Sequence, residues 1–160
     1  MLKIKELNKK FEKIRSKRKY ETLIEGIREI INRKKEKKRL LKEVRICEEK
    51  KEFKKAAEKW IKLVKLEEKK KKKLNFLFRA LENAVEEENE ELINKIFDIA
   101  RKDLVKIDFI VHINTKTNEW LEYNWYKETK KFYTILKNNI NDSLLKQLFE
   151  QKLLEIRKNF

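Results

Sequence analysis

Proline is absent from the 160 residues, and glycine occurs once, at Gly26. Folds with many tight turns draw on both, because proline presets φ and glycine accepts positive φ. Their scarcity points away from a turn-rich β architecture and towards helices joined by short polar turns. A single cysteine, Cys47, excludes an intramolecular disulfide and suits a reducing compartment. With one histidine, His112, it falls short of the roughly four ligands of a structural zinc site. One glycine also rules out a glycine-rich phosphate loop. No stretch nears the ~18 apolar residues of a membrane span. The opening MLKIKELNKKFEKIRSKRKY lacks the apolar core of a signal peptide, and its Glu6 and Glu12 argue against a transit peptide. A soluble, intracellular protein is expected, in which the sequon Asn141-Asp142-Ser143 has no consequence.

Glutamine is also scarce, at Gln147 and Gln151 only, while Lys, Glu and Ile abound. That bias resembles hyperthermophile usage, although an AT-rich genome inflates Lys, Asn and Ile as well.

What the chain does have is charge, unevenly placed. Residues 1–80 hold 31 Lys and Arg against 13 Asp and Glu, a net of +18, while residues 81–160 hold 13 against 15, a net of −2. Charge serving solubility alone would not segregate in this way, so the basic half is expected to face a polyanion. Hydrophobic residues still make up 40% of the chain, in patterned groups, which is enough to build a core in one domain of this length.

The apolar spacing is helical through most of the sequence. Leu7, Phe11 and Ile14 form a first stripe; Tyr20, Leu23, Ile24, Ile27, Ile30 and Ile31 a second; Leu40, Leu41, Val44 and Cys47 a third; Phe53, Ala56, Ala57, Trp60, Leu63 and Val64 a fourth. Polar stretches at 15–19, 32–39, 48–52 and 67–73 separate them. Each is either a corner between antiparallel helices or a solvated turn of a longer one. A shift of 33 residues aligns several of these apolar positions, yet the glycine-marked first helix and closing proline of a tetratricopeptide repeat are missing. Generic helical pairs account for the match.

Residues 74–107 predict an αα-hairpin with acids at the start of its second helix, where the dipole favours them. Residues 109–123 read either as a small β-hairpin, from the β-prone Phe109 to Ile113 and the turn-like NTKTN, or as a helix–loop–helix corner. Two helices, about 119–138 and 143–158, close the chain. Asn141, Asp142 or Ser143 supplies the N-cap of the last one. The fold class predicted is therefore all-α: six to eight short amphipathic helices in a bundle or αα-hairpin array, over 1–160 as a single helical domain.

Candidate chemistry is thin. Cys47 on an apolar stripe reads as a small core residue, and His112 as a packed or partly exposed loop residue. Glu48/Glu49, Glu67/Glu68, Glu86 to Glu88 and Glu90/Glu91 sit in exposed, lysine-mixed stretches and not in a cleft that would separate their pKa values. Trp120, Tyr123, Trp125 and Tyr126 could stack on bases, but they lie in the near-neutral half and read as core or interface packing. No catalytic residue, metal, cofactor or small-molecule substrate is expected.

Three basic groups remain: Lys17, Arg18 and Lys19; Arg33, Lys34, Lys35, Lys37, Lys38 and Arg39; and Lys69, Lys70, Lys71, Lys72 and Lys73 with Arg79. Lysine outnumbers arginine and acts as a point charge, which favours phosphate over base edges. The expectation is a non-catalytic protein, or subunit of a nucleoprotein complex, that binds the DNA or RNA backbone. The alternative is an αα scaffold, adaptor or inhibitor for an acidic protein. A membrane-surface role lacks a free aromatic face.

Overall fold

The computed structural model describes residues 2–160, with side chains from residue 3, and among these it contains seven helices and no strand. They are α1 (Leu2–Glu49), α2 (Phe53–Leu66), α3 (Lys70–Glu86), α4 (Glu90–Asp103), α5 (Lys106–Glu122), α6 (Tyr126–Asn139) and α7 (Ser143–Asn159). The chain divides into two units, Met1–Arg39 and Leu40–Phe160, so α1 belongs to both.

The polar stretches resolve in two ways. Residues 15–19 and 32–39 are solvated turns within α1, so the first three apolar stripes share one helix of 48 residues. Residues 50–52 are a true corner, as are 67–69, after which Lys70 to Lys73 form the first turn of α3. With residues 7–31 inside one helix, the 33-residue shift corresponds to no repeated helix pair.

Three corners show how a chain this poor in glycine turns. Lys51, Glu88 and Asn124 adopt φ of 59°, 52° and 63°, the left-handed region that glycine usually fills after a helix. Behind them the amides of Glu52, Asn89 and Trp125 donate to the carbonyls of Cys47, Ala84 and Trp120 at 2.8, 3.0 and 2.9 Å. Such 6→1 bonds close α1, α3 and α5 in the Schellman manner, satisfying carbonyls that a helix end otherwise leaves open.

In Leu40–Phe160, α2 buries Ala56, Ala57, Trp60, Ile61, Leu63 and Val64 against α3, and α3, α4, α5 and α6 pack on one another. The hairpin predicted at 74–107 is present as α3 and α4, ending at Asp103. Asn89 caps α4 by accepting from the Leu92 amide at 3.1 Å, with Glu90 and Glu91 in the first turn. Asp142 caps α7, accepting from the Leu144 and Leu145 amides at 3.0 and 3.3 Å. Aromatic rings fill the centre: Phe97 meets Phe109 at 5.4 Å and Phe149 at 5.9 Å, while Trp120 meets Phe132 edge-on at 5.2 Å.

Residues 109–123 are neither hairpin nor corner but the body of α5. Phe109, Ile113 and Thr117 recur every four residues and are buried, so packing overrides the β-propensity of Ile110 and Val111. Within NTKTN, the hydroxyls of Thr115 and Thr117 donate back to the carbonyls of Val111 and Ile113, both at 2.9 Å. Trp120 and Leu121 therefore end α5, and the helix expected at 119–138 begins only at Tyr126.

Candidate nucleic-acid interface

In Met1–Arg39 the helix carries 16 Lys and Arg against 6 Glu, a net of +10. Lys17, Arg18 and Lys19 are exposed on successive positions. At about 100° per residue they point to most sides of α1. Arg33, Lys34, Lys35, Lys37, Lys38 and Arg39 likewise encircle it. Arg39 is held by Glu36, its Nε donating to Oε2 at 3.1 Å. The two basic collars are about 21 Å apart along the axis at 1.5 Å per residue.

The third group lies in Leu40–Phe160. Lys69 precedes α3 and Lys70 to Lys73 occupy its first turn, where the helix N-terminus is itself positive. Lys70 is paired with Asp108, and the half-buried to exposed series Lys71, Lys72 and Lys73 crowds the same end. Just before them the buried Glu67 accepts from the amides of Glu68 and Lys69 at 3.2 and 3.3 Å.

Arg79 makes contacts within the fold. Its guanidinium reaches Glu48 at 3.3 Å and Glu82 at 3.8 Å, and lies 5.6 Å from the centre of the Trp60 ring. These contacts join the end of α1, α2 and α3, and the partners partly neutralise its charge. The Glu48 partner is 31 residues away in sequence, a pairing that no local pattern reveals.

A second feature escaped the sequence. A cavity of about 290 Å³ is lined by Glu82 and Glu86 from α3, Trp120 from α5, Trp125 between α5 and α6, and Glu128, Lys131 and Phe132 from α6. Burial pushes the Glu82 carboxyl up to about 7; neighbouring Arg79 opposes this and Glu48 adds to it. These residues come from three helices, so only the tertiary packing assembles them. Trp120 packs on Phe78 and Phe132, as expected for a core ring, whereas Tyr123 and Trp125 form an exposed pair 5.5 Å apart.

Cys47 is buried in the core, as its stripe implies. His112 lies on α5, not in a loop, its ring 5.9 Å from Phe78 and its Nε2 without a hydrogen-bond partner. Burial and nearby Lys116 lower its pKa, against the pull of Glu119. Among the described residues no cluster of His, Cys, Asp and Glu could hold a metal ion, and no helix is long and apolar enough to cross a membrane.

Comparison of the chain with protein-family models, curated proteins and solved structures gives no match in any of the three. The geometry alone therefore carries the functional reading.

Proposed function

We propose that this chain binds the phosphate backbone of nucleic acid without catalysis, through α1. One observation carries the reading: an exposed helical segment with a net charge of +10 over Met1–Arg39, its basic groups encircling the axis. A cationic helix with collars on all sides suits a polyanion whose charges are also distributed around an axis. Lys69 to Lys73 at the start of α3 add a second cationic surface within Leu40–Phe160. The lysine bias favours contacts that position the polymer and do not read its bases.

The test is a salt titration of binding to unrelated single-stranded DNA, duplex DNA and RNA. Each phosphate neutralised contributes about −0.7 to −0.9 to the slope of log K against log salt. A slope steeper than about −3, similar across sequences, is expected. No binding to any of the three polymers at low salt would sink the proposal.

A second reading, an adaptor for an acidic protein, draws on the apolar side chains exposed between the two collars. It predicts that apolar substitutions at Tyr20 to Ile31 weaken partner capture more than neutralising Lys17, Arg18 and Lys19 does.

A further inference from the structure

We infer that α1 pairs with a second copy of this chain, antiparallel, through the seam Tyr20, Ile24, Ile27 and Ile31. Twelve residues of the Met1–Arg39 unit present six large apolar side chains on one face. Tyr20 is 64% exposed, Leu23 62%, Ile27 49%, Ile30 57% and Ile31 47%, and Ile24 is half-buried. Each Å² of apolar surface left wet forgoes about 25 cal/mol, so such a face is unfavourable until covered.

The spacing names the cover. Positions 20, 24, 27 and 31 follow the four–three–four rhythm of a two-helix seam, as d, a, d and a. In an antiparallel pair, a faces d. Tyr20 then meets Ile31 of the second copy, and Ile24 meets Ile27 of the second copy. The two-fold axis repeats both layers, giving four in all around residues 25 and 26. Leu23 and Ile30 fall at g positions and face each other across the same axis.

Charge selects the direction and the partner. The e positions are Glu21 and Arg28. Antiparallel pairing sets e against e, so Glu21 meets Arg28 of the second copy, twice by symmetry. Parallel pairing sets e against g, where Glu21 and Arg28 would find Ser16 and Leu23 of the second copy instead. A self-complementary pair of opposite charges is what an isologous contact requires.

The seam is also bounded. The next core positions outward are Lys17 and Lys34, then Lys13 and Lys38, and the pairing lays Lys17 against Lys34 of the second copy. These cationic layers stop the apolar contact after about three turns, near 18 Å. They also repel, so added salt should tighten the dimer, opposite in sign to its effect on phosphate binding. In the other exposed stripe, Ile4 and Phe11 fall at b positions on the opposite face of α1 and take no part.

Sedimentation equilibrium of the full chain, free of nucleic acid, tests this apart from the proposed function. A monomer–dimer equilibrium is expected, tighter at about 0.5 M than at about 0.15 M salt. Ile27→Asp should weaken it at least ~10-fold, whereas Phe11→Asp on the opposite face should leave it unchanged. Glu21→Arg and Arg28→Glu should each weaken it, and the double variant should restore it. A monomer at every concentration up to ~100 µM would overturn the inference. So would equal loss from Phe11→Asp and Ile27→Asp, or failure of the double charge swap to restore pairing.

Discussion

At the scale of single residues, a buried hydroxyl and a half-buried carboxyl set measurable properties. The Tyr133 hydroxyl, pushed up to about 12 chiefly by burial, sits 2.7 Å from the Thr117 hydroxyl between α6 and α5. Thr117 still donates to the Ile113 carbonyl without it, so Tyr133→Phe should cost only about 1 kcal/mol in chemical denaturation. Glu82 gives a pH signature. Its carboxyl is raised from 4.5 to about 7, so the folded protein binds its proton more tightly than the unfolded chain. The resulting stabilisation is full below about 4.5 and is lost as pH rises through 7. Glu82→Gln should therefore gain on the parent protein between pH 5 and 8, by about 1–2 kcal/mol given a carboxylate still partly wet. Equal pH profiles for the two proteins would contradict the buried environment. His112 works in the other direction. Its lowered pKa confers stability present above the ordinary 6.5 and lost as pH falls below it.

At the scale of elements, the allocation of glycine is inverted. Gly26 lies in the interior of α1, where an added Cβ meets nothing within 4 Å, while Lys51, Glu88 and Asn124 take the left-handed turns. Glu88→Gly should stabilise the α3–α4 corner by about 1 kcal/mol in thermal unfolding. Gly26→Ala should raise the helicity of α1 by a similar margin, read by circular dichroism. The first turn of α3 holds a conflict of another kind, four lysines against a positive helix end. Neutralising Lys71 and Lys72 to glutamine should raise stability by about 0.5 kcal/mol while weakening polyanion binding. A loss of both together would argue for a purely structural role. Local chemistry made much of this legible in the sequence: the apolar faces of α2, α3 and α4, the acidic start of α4 and a cap for α7 among Asn141, Asp142 and Ser143 all follow from spacing and capping rules. The continuity of α1 did not, because solvated turns and corners look alike where neither proline nor glycine marks the break. Nor did α5, whose β-branched residues are held helical by partners distant in sequence. The lysine clusters could be read directly, whereas the engagement of Arg79 with Glu48 and the Glu82 cavity required the tertiary contacts.

At the scale of the whole molecule, core and charge are held in different places. Among the described residues every buried hydrophobic one lies at position 40 or beyond, whereas Met1–Arg39 has the higher charge density. Deleting residues 1–39 should leave the melting temperature of the remainder within a few degrees and remove most polyanion affinity, measured by the same salt titration. A collapse of the fold on deletion would show that the long helix also supports the core. The charge on α1 bears on time as well as on affinity. A field of this size acts across roughly a Debye length, about 10 Å at 0.1 M salt, before any side chain touches a phosphate. It should therefore steer encounters and raise the association rate by about 10-fold or more, while dissociation depends on the contacts themselves. In stopped-flow measurements, salt should accordingly slow capture more steeply than it hastens release.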